Sequence, residues 1–211
     1  FGPNVVYFLG KYYNTELVPY SYLPIWILIS TPVLNLILFF LGLYFASNFF
    51  LSKLFLLDVN KSKYDFWNID SEKKDFFTLI LLMSFFVGGT FFSIKHYNSW
   101  RIFYFLNFFI IYFSIYFINN YLLLSKSKKN LKYFLLILII TISLNIKSLI
   151  VYHPYQGLFF NNLISKKFKK KFESDFTGLS GIEFLRKIAK KETKPKIYIG
   201  VNSWYPLWRM K

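Results

Sequence analysis

The chain has 211 residues, of which 55% are hydrophobic, yet it carries a net charge of +16. A mean hydropathy of +0.38 alongside so many lysines excludes an ordinary soluble domain. Long uncharged runs alternate with short lysine-rich ones, the pattern of a polytopic membrane protein whose charged partner is the lipid surface rather than nucleic acid. Cysteine is absent, which excludes disulfides and thiolate metal sites, and no cofactor or metal motif is present. The chain opens at Phe1 without a signal-peptide layout and closes at Trp208 to Lys211; we expect a portion of a longer protein.

Four segments reach the roughly 20 apolar residues needed to cross a bilayer. The first predicted span covers 25–51, long enough to tilt, with Pro32 expected to kink it. The second covers 76–94, with Gly88 and Gly89 near its end. The third covers 102–124. The fourth covers 133–151 and is interrupted late by Asn145 and Lys147. None keeps the polar stripe of a soluble amphipathic helix. Asn107 and Asn145 suit helix–helix contacts better than a site.

Orientation follows from basic residues in the short loops. The loops 52–75 and 125–132 share one face and hold nine lysines, among them Lys53, Lys73, Lys128 and Lys132. The opposite face holds only Lys11, Lys95 and Arg101 before the tail. This count puts the tail outside the cytoplasm. The run Lys166 to Lys171 lies close enough to the last span to argue for the other side.

The domain division expected is a transmembrane region, 1–151, followed by a tail, 152–211, that begins a small α/β or α+β domain. Ser180 and Glu183 read as a capping box, with Ile182, Leu185, Ile188 and Ala189 on the apolar face of a helix reaching about Lys191. Residues 196–201 (KIYIGV) alternate like a strand.

Candidate chemistry is sparse. Of the two histidines, His96 follows the second span and His153 the fourth, so helix count puts both on one face. The loop KHYNSWR (95–101) is dense in donors, and Lys95, Arg101 and the histidines together suit an anionic phosphate headgroup. An ordinary interface, with Trp and Tyr at headgroup level and Arg snorkelling, gives the same composition. Glu173 and the nearby Asp175 are a pair of acids able to divide acid and base roles. Lys166 to Lys171 suits anionic lipid.

Four ordered stretches carry a resemblance: GKYYNTELVPYSYLPIWILISTPVLNLILFFLGL, HYNSWRIFYFLNFF, YHPYQGLFFNNL and FESDFTGLSGIEFLRKI. Together they resemble the C-terminal half of bacterial protein-mannosyltransferase-like membrane glycosyltransferases, in the C-type superfamily that uses polyprenyl-phosphate sugars. The first is similar to that family's external entry segment and hydrophobic-Thr-Pro helix. The second is similar to a Tyr-Asp-Gly-Trp-Arg-His stretch, with Asn98 and Ser99 standing for Asp-Gly and Ile102 for the final His. The third resembles a His-Pro-Tyr-Gln, Tyr-Phe-Asn stretch, and the fourth a Phe-Glu-x-Asp element that opens a helix.

The resemblance implies transfer of a sugar from a polyprenyl-phosphate carrier to a lipid, glycan or protein acceptor on the extracytoplasmic face of a bacterial inner membrane. It implies donor-phosphate contacts from Arg101, His96, Lys95, His153 and Tyr155. The family's catalytic carboxylate lies in a first external loop with no counterpart here, so it is expected upstream of Phe1. The alternative is a non-enzymatic module, a transporter or assembly subunit whose basic tail binds a partner or lipid.

Overall fold

The computed structural model describes residues 5–55, 69–92, 94–96, 99–124, 128–153, 159–173 and 179–191. It is mostly helical, with one small sheet among the described residues. That sheet is an antiparallel hairpin of β1 (Val5–Phe8) and β2 (Lys11–Asn14), with Phe8 opposite Lys11 and Val5 opposite Asn14. The sequence VVYF-LG-KYYN accounts for it: β-branched and aromatic residues flank a two-residue link. Leu9 (φ 52°) and Gly10 (φ 84°) both have positive φ, as a tight turn matched to strand twist requires. Gly10 takes this conformation freely, whereas at Leu9 it costs about 1–2 kcal/mol. Val6 and Phe8 point inward and are buried.

Two helices, α1 (Tyr22–Ser30) and α2 (Val33–Phe55), replace the single span expected over 25–51. The expected kink is a complete break. Pro32 lacks an N–H, and its ring drives the preceding residue out of helical backbone. Thr31 is accordingly extended (φ −93°, ψ 137°). Helix then restarts at once, with the Leu36 N–H donating to the Pro32 carbonyl at 3.2 Å.

Helix α2 lies along α4 (Leu106–Leu124), and α3 (Asp70–Phe91) packs on both. The closest approach is at Gly42, where a Cβ would stand 1.8 Å from the Phe113 carbonyl oxygen of α4. Four residues on, Ala46 is fully buried. Small residues at this spacing let apolar backbones meet where lipid supplies no hydrophobic drive. At the far end, Lys53 pairs with Glu72 at 2.6 Å and the Tyr112 hydroxyl donates to Asp75 at 2.5 Å, tying α3 to α2 and α4.

Among the described residues, three helical segments are long and apolar enough to cross a membrane: α2, α3, and Leu131–Val151 of α5 (Lys128–Val151). In α5 the apolar window has no residue buried inside the protein. A helix apolar on every side and uncovered is stable only in an apolar solvent. The segment expected at 102–124 consists of a single 3-10 turn, Arg101–Phe103, followed by α4. Helix α4 buries Leu106, Phe109, Ile110 and Phe113 on one face, while Phe108, Ile111 and Ile115 are exposed on the other.

After α5, residues 159–173 return to the hairpin. Phe160 and Phe172 enter the same core as Phe8, Tyr22 and Trp26. The Gly10 N–H donates to the Lys171 carbonyl at 2.9 Å, and the Glu173 N–H donates to the Tyr7 carbonyl at 3.0 Å. The chain on either side of residue 151 thus shares one core, here called the head. The segment includes a one-turn helix, α6 (Lys166–Lys169).

Helix α7 (Leu179–Lys191) ends where the sequence predicts and buries Ile182 and Leu185, while Ala189 of the predicted face is exposed. It begins before Ser180, and Glu183 pairs with Lys187 at 2.8 Å. The Ser180 side chain and the strand expected at 196–201 lie outside the described part.

Candidate functional site

All four family-like stretches meet on α1. From the second, the Trp100 indole N–H donates to Ser30 Oγ at 2.8 Å, and the Ser30 hydroxyl donates to the Trp26 carbonyl at 2.6 Å. From the third, the Asn161 backbone N–H donates to the Ile29 carbonyl at 2.9 Å, and its side-chain amide donates to the carbonyls of Leu28 (2.5 Å) and Thr31 (3.0 Å). Phe160 stacks on Trp26 with ring centres 6.0 Å apart. From the fourth, Phe172 meets Trp26 edge-on at 5.4 Å and Phe8 at 5.5 Å. Such offset and edge-on pairs add specific geometry to the burial of large apolar area.

His96 is not at the surface. It is 4% exposed, its ring stacks on Phe103 at 5.3 Å and lies 5.2 Å from the Tyr22 ring, and its backbone N–H donates to the Thr15 carbonyl at 2.8 Å. Burial holds its pKa below the ordinary imidazole value, opposed in part by the Gly89 carbonyl. A buried ring of this kind is neutral at neutral pH and supplies no standing positive charge. The cationic contact expected of His96 is replaced by a place in the wall beside Tyr22.

Tyr22 is the centre of this wall and is 1% exposed. Its phenol is pushed above the ordinary value by burial and by the negative charge of Glu173. Burial in turn raises the Glu173 carboxyl, opposed by the Tyr7 backbone N–H. Thr15 Oγ1, His96 Nδ1 and Glu173 Oε2 are buried without a hydrogen-bond partner among the described residues. Unmet polar atoms in an apolar wall are places where a water or a ligand hydroxyl gains the most from binding.

The remaining predicted residues are dispersed. Lys95 points outward and meets Glu16 at 3.0 Å, an exposed pair of small energetic weight. Arg101 is exposed on the 3-10 turn, and among the described residues no ion pair holds it. His153 is exposed just past α5, its N–H donating to the Ile150 carbonyl at 3.2 Å. Tyr155 and Asp175 lie outside the described residues. A shallow cavity of about 330 Å³ lies instead along α5, from Lys128 to Ile139. Sequence reasoning did not single out Tyr22, Trp26, Thr15 or Asn161; the alternation around Leu9-Gly10 is the signal that would have revealed the hairpin whose Phe8 packs on Tyr22.

Comparison with family models, with curated proteins and with solved structures finds no match to this chain.

Proposed function

We propose that this chain is part of an integral-membrane glycosyltransferase that moves a sugar from a polyprenyl-phosphate carrier to an acceptor on the extracytoplasmic face. The observation that carries the reading is the convergence on α1 of four stretches that the sequence scatters from Gly10 to Ile188. A second support is Ser99. Its φ is 68°, the left-handed backbone that glycine adopts without strain, and it stands where the resembling family has glycine.

In this reading α4 is a fourth span and the head lies outside the cytoplasm, in a bacterial inner membrane. A carboxylate elsewhere in the protein takes the proton from the acceptor hydroxyl. The new bond forms between that oxygen and the anomeric carbon, and the sugar–phosphate C–O bond breaks. The polyprenyl phosphate leaves with the electron pair, and Arg101 on the rim, aided by Lys95, stabilises the charge that develops on it. His96 shapes the wall behind them.

The test is Arg101→Ala in the whole protein, assayed for donor binding and turnover. Turnover should fall by about a hundredfold or more, the usual loss when one charge-stabilising donor is removed, with Arg101→Lys intermediate. Unchanged binding and turnover would end the assignment.

A further inference from the structure

Residues 159–172 hold five lysines and no acidic residue, and the fold does not leave them on a free linker. We propose that Lys166 to Lys171, together with Lys11, form a collar that binds the anionic lipid headgroups of the membrane that the protein's own helices enter.

The argument is one of level and chemistry. Leu23, in the first turn of α1, packs on Gly89, two residues before α3 ends. The other end of α1, Ser30, is three residues from the start of α2. Helix α1 therefore spans between the ends of two membrane-length helices and stays near their level. It is about 13 Å long. Residues 160–172 run along it, with Phe160 and Phe172 both on Trp26, so the lysines they carry are held at headgroup depth.

Two of the lysines are anchored: the Lys169 ammonium lies 5.8 Å from the Phe160 ring centre, and that of Lys171 lies 5.7 Å from the Phe168 ring centre. Lys166, Lys167 and Lys170 are exposed, as is Lys11 next to the Gly10 turn that Lys171 touches. Beside them Leu163 is 73% exposed. Exposed cations next to an exposed apolar side chain match the boundary between headgroups and acyl chains. The inference needs the protein to sit in a membrane, but not that it transfers sugar.

Cysteine is absent from these 211 residues, so Leu163→Cys, with any cysteine elsewhere in the protein replaced by serine, gives a single labelling position. A fluorophore there, with the whole protein in nanodiscs, reports contact with bromine-bearing lipid. Quenching should be stronger in discs containing phosphatidylglycerol than in discs of phosphatidylcholine alone, and high salt should remove the difference. Lys166→Gln with Lys170→Gln should raise the phosphatidylglycerol fraction needed by about fivefold per lysine. The matching pair of Lys→Arg changes should leave it unaltered, which separates charge from misfolding. Equal quenching in both lipids, or an undiminished effect in the Gln variant, overturns the proposal. Inorganic pyrophosphate added to neutral discs is the other arm: if it alone reproduces the change at position 163, the site serves a soluble phosphate and the lipid assignment fails.

Discussion

The side-chain amide of Asn161 donates to the Leu28 carbonyl at 2.5 Å, filling the place of the N–H that Pro32 cannot offer. Leu28 is four residues before Pro32, so in an unbroken helix it would accept from residue 32. The same amide serves Thr31, and the Asn161 backbone serves Ile29. One residue from beyond α5 thus satisfies the orphaned end of α1. Asn161→Ala leaves the buried Thr31 carbonyl and the part-buried Leu28 carbonyl unserved and should cost about 1–3 kcal/mol. In a Pro32→Ala background, where residue 32 regains its N–H, the loss should be smaller by about 1 kcal/mol. Unfolding of the detergent-solubilised protein measures both; equal losses in the two backgrounds would disconnect Asn161 from the break.

Gly42 sets the distance between α2 and α4. A methyl there would meet the Phe113 carbonyl oxygen at 1.8 Å, and backbone cannot swing aside. Gly42→Ala should destabilise by about 1–3 kcal/mol, even though alanine favours helix by nearly 1 kcal/mol. Gly88 is the control: its added Cβ would meet only the Phe92 ring at 3.7 Å, so Gly88→Ala should raise the melting temperature. The same sign at both positions would refute the close-packing account.

Ser99 has φ 68°. Ser99→Gly relieves about 1–2 kcal/mol of strain and returns part of it as unfolded-chain entropy. The net expectation is a gain of about 0.5–1 kcal/mol. A loss on this substitution would mean that the serine side chain holds the turn.

His96 makes stability depend on pH. Its folded pKa lies below the ordinary value of 6.5, so the unfolded chain binds the proton first. Stability is therefore complete above pH 6.5 and declines as pH falls through and below that value. Glu173 acts in the opposite sense: its folded pKa lies above 4.5, and stability declines as pH rises from 4.5 through that higher value. Melting curves between pH 5 and 8 should show a slope that His96→Phe flattens while keeping the stack on Phe103. An unchanged slope in that variant would assign the pH dependence to other groups.

Much of the helical scaffold was legible in the sequence because lipid-facing helices are apolar on every side. Hydropathy alone places the segments that become α3 and α5. It merges α1 with α2, because a break whose signal is Thr31-Pro32 leaves the apolar run intact. The head was harder to read. Its strands have four residues each, and the cover for Phe8 and Trp26 comes from Phe160 and Phe172, with no periodicity linking the two segments. Within the loop after α3, the sequence grouped Lys95, His96 and Arg101 as one cationic set. Neighbouring side chains in an extended stretch take opposite directions, so Lys95 meets Glu16 at the surface while His96 enters the wall beside Tyr22.

The hairpin's dependence on residues 160–173 also fixes an order of assembly during synthesis. Trp26 leaves the ribosome 134 residues before Phe160, roughly 7 to 27 s earlier at ordinary elongation rates. For that interval Phe8, Tyr22 and Trp26 have no lid, and the four long helices α2 to α5 are made before it arrives. A chain arrested short of Phe160 should be cut by chymotrypsin at Tyr22 or Trp26, and the finished chain should resist. The head is thus a late seal, closed only when α5 has been delivered.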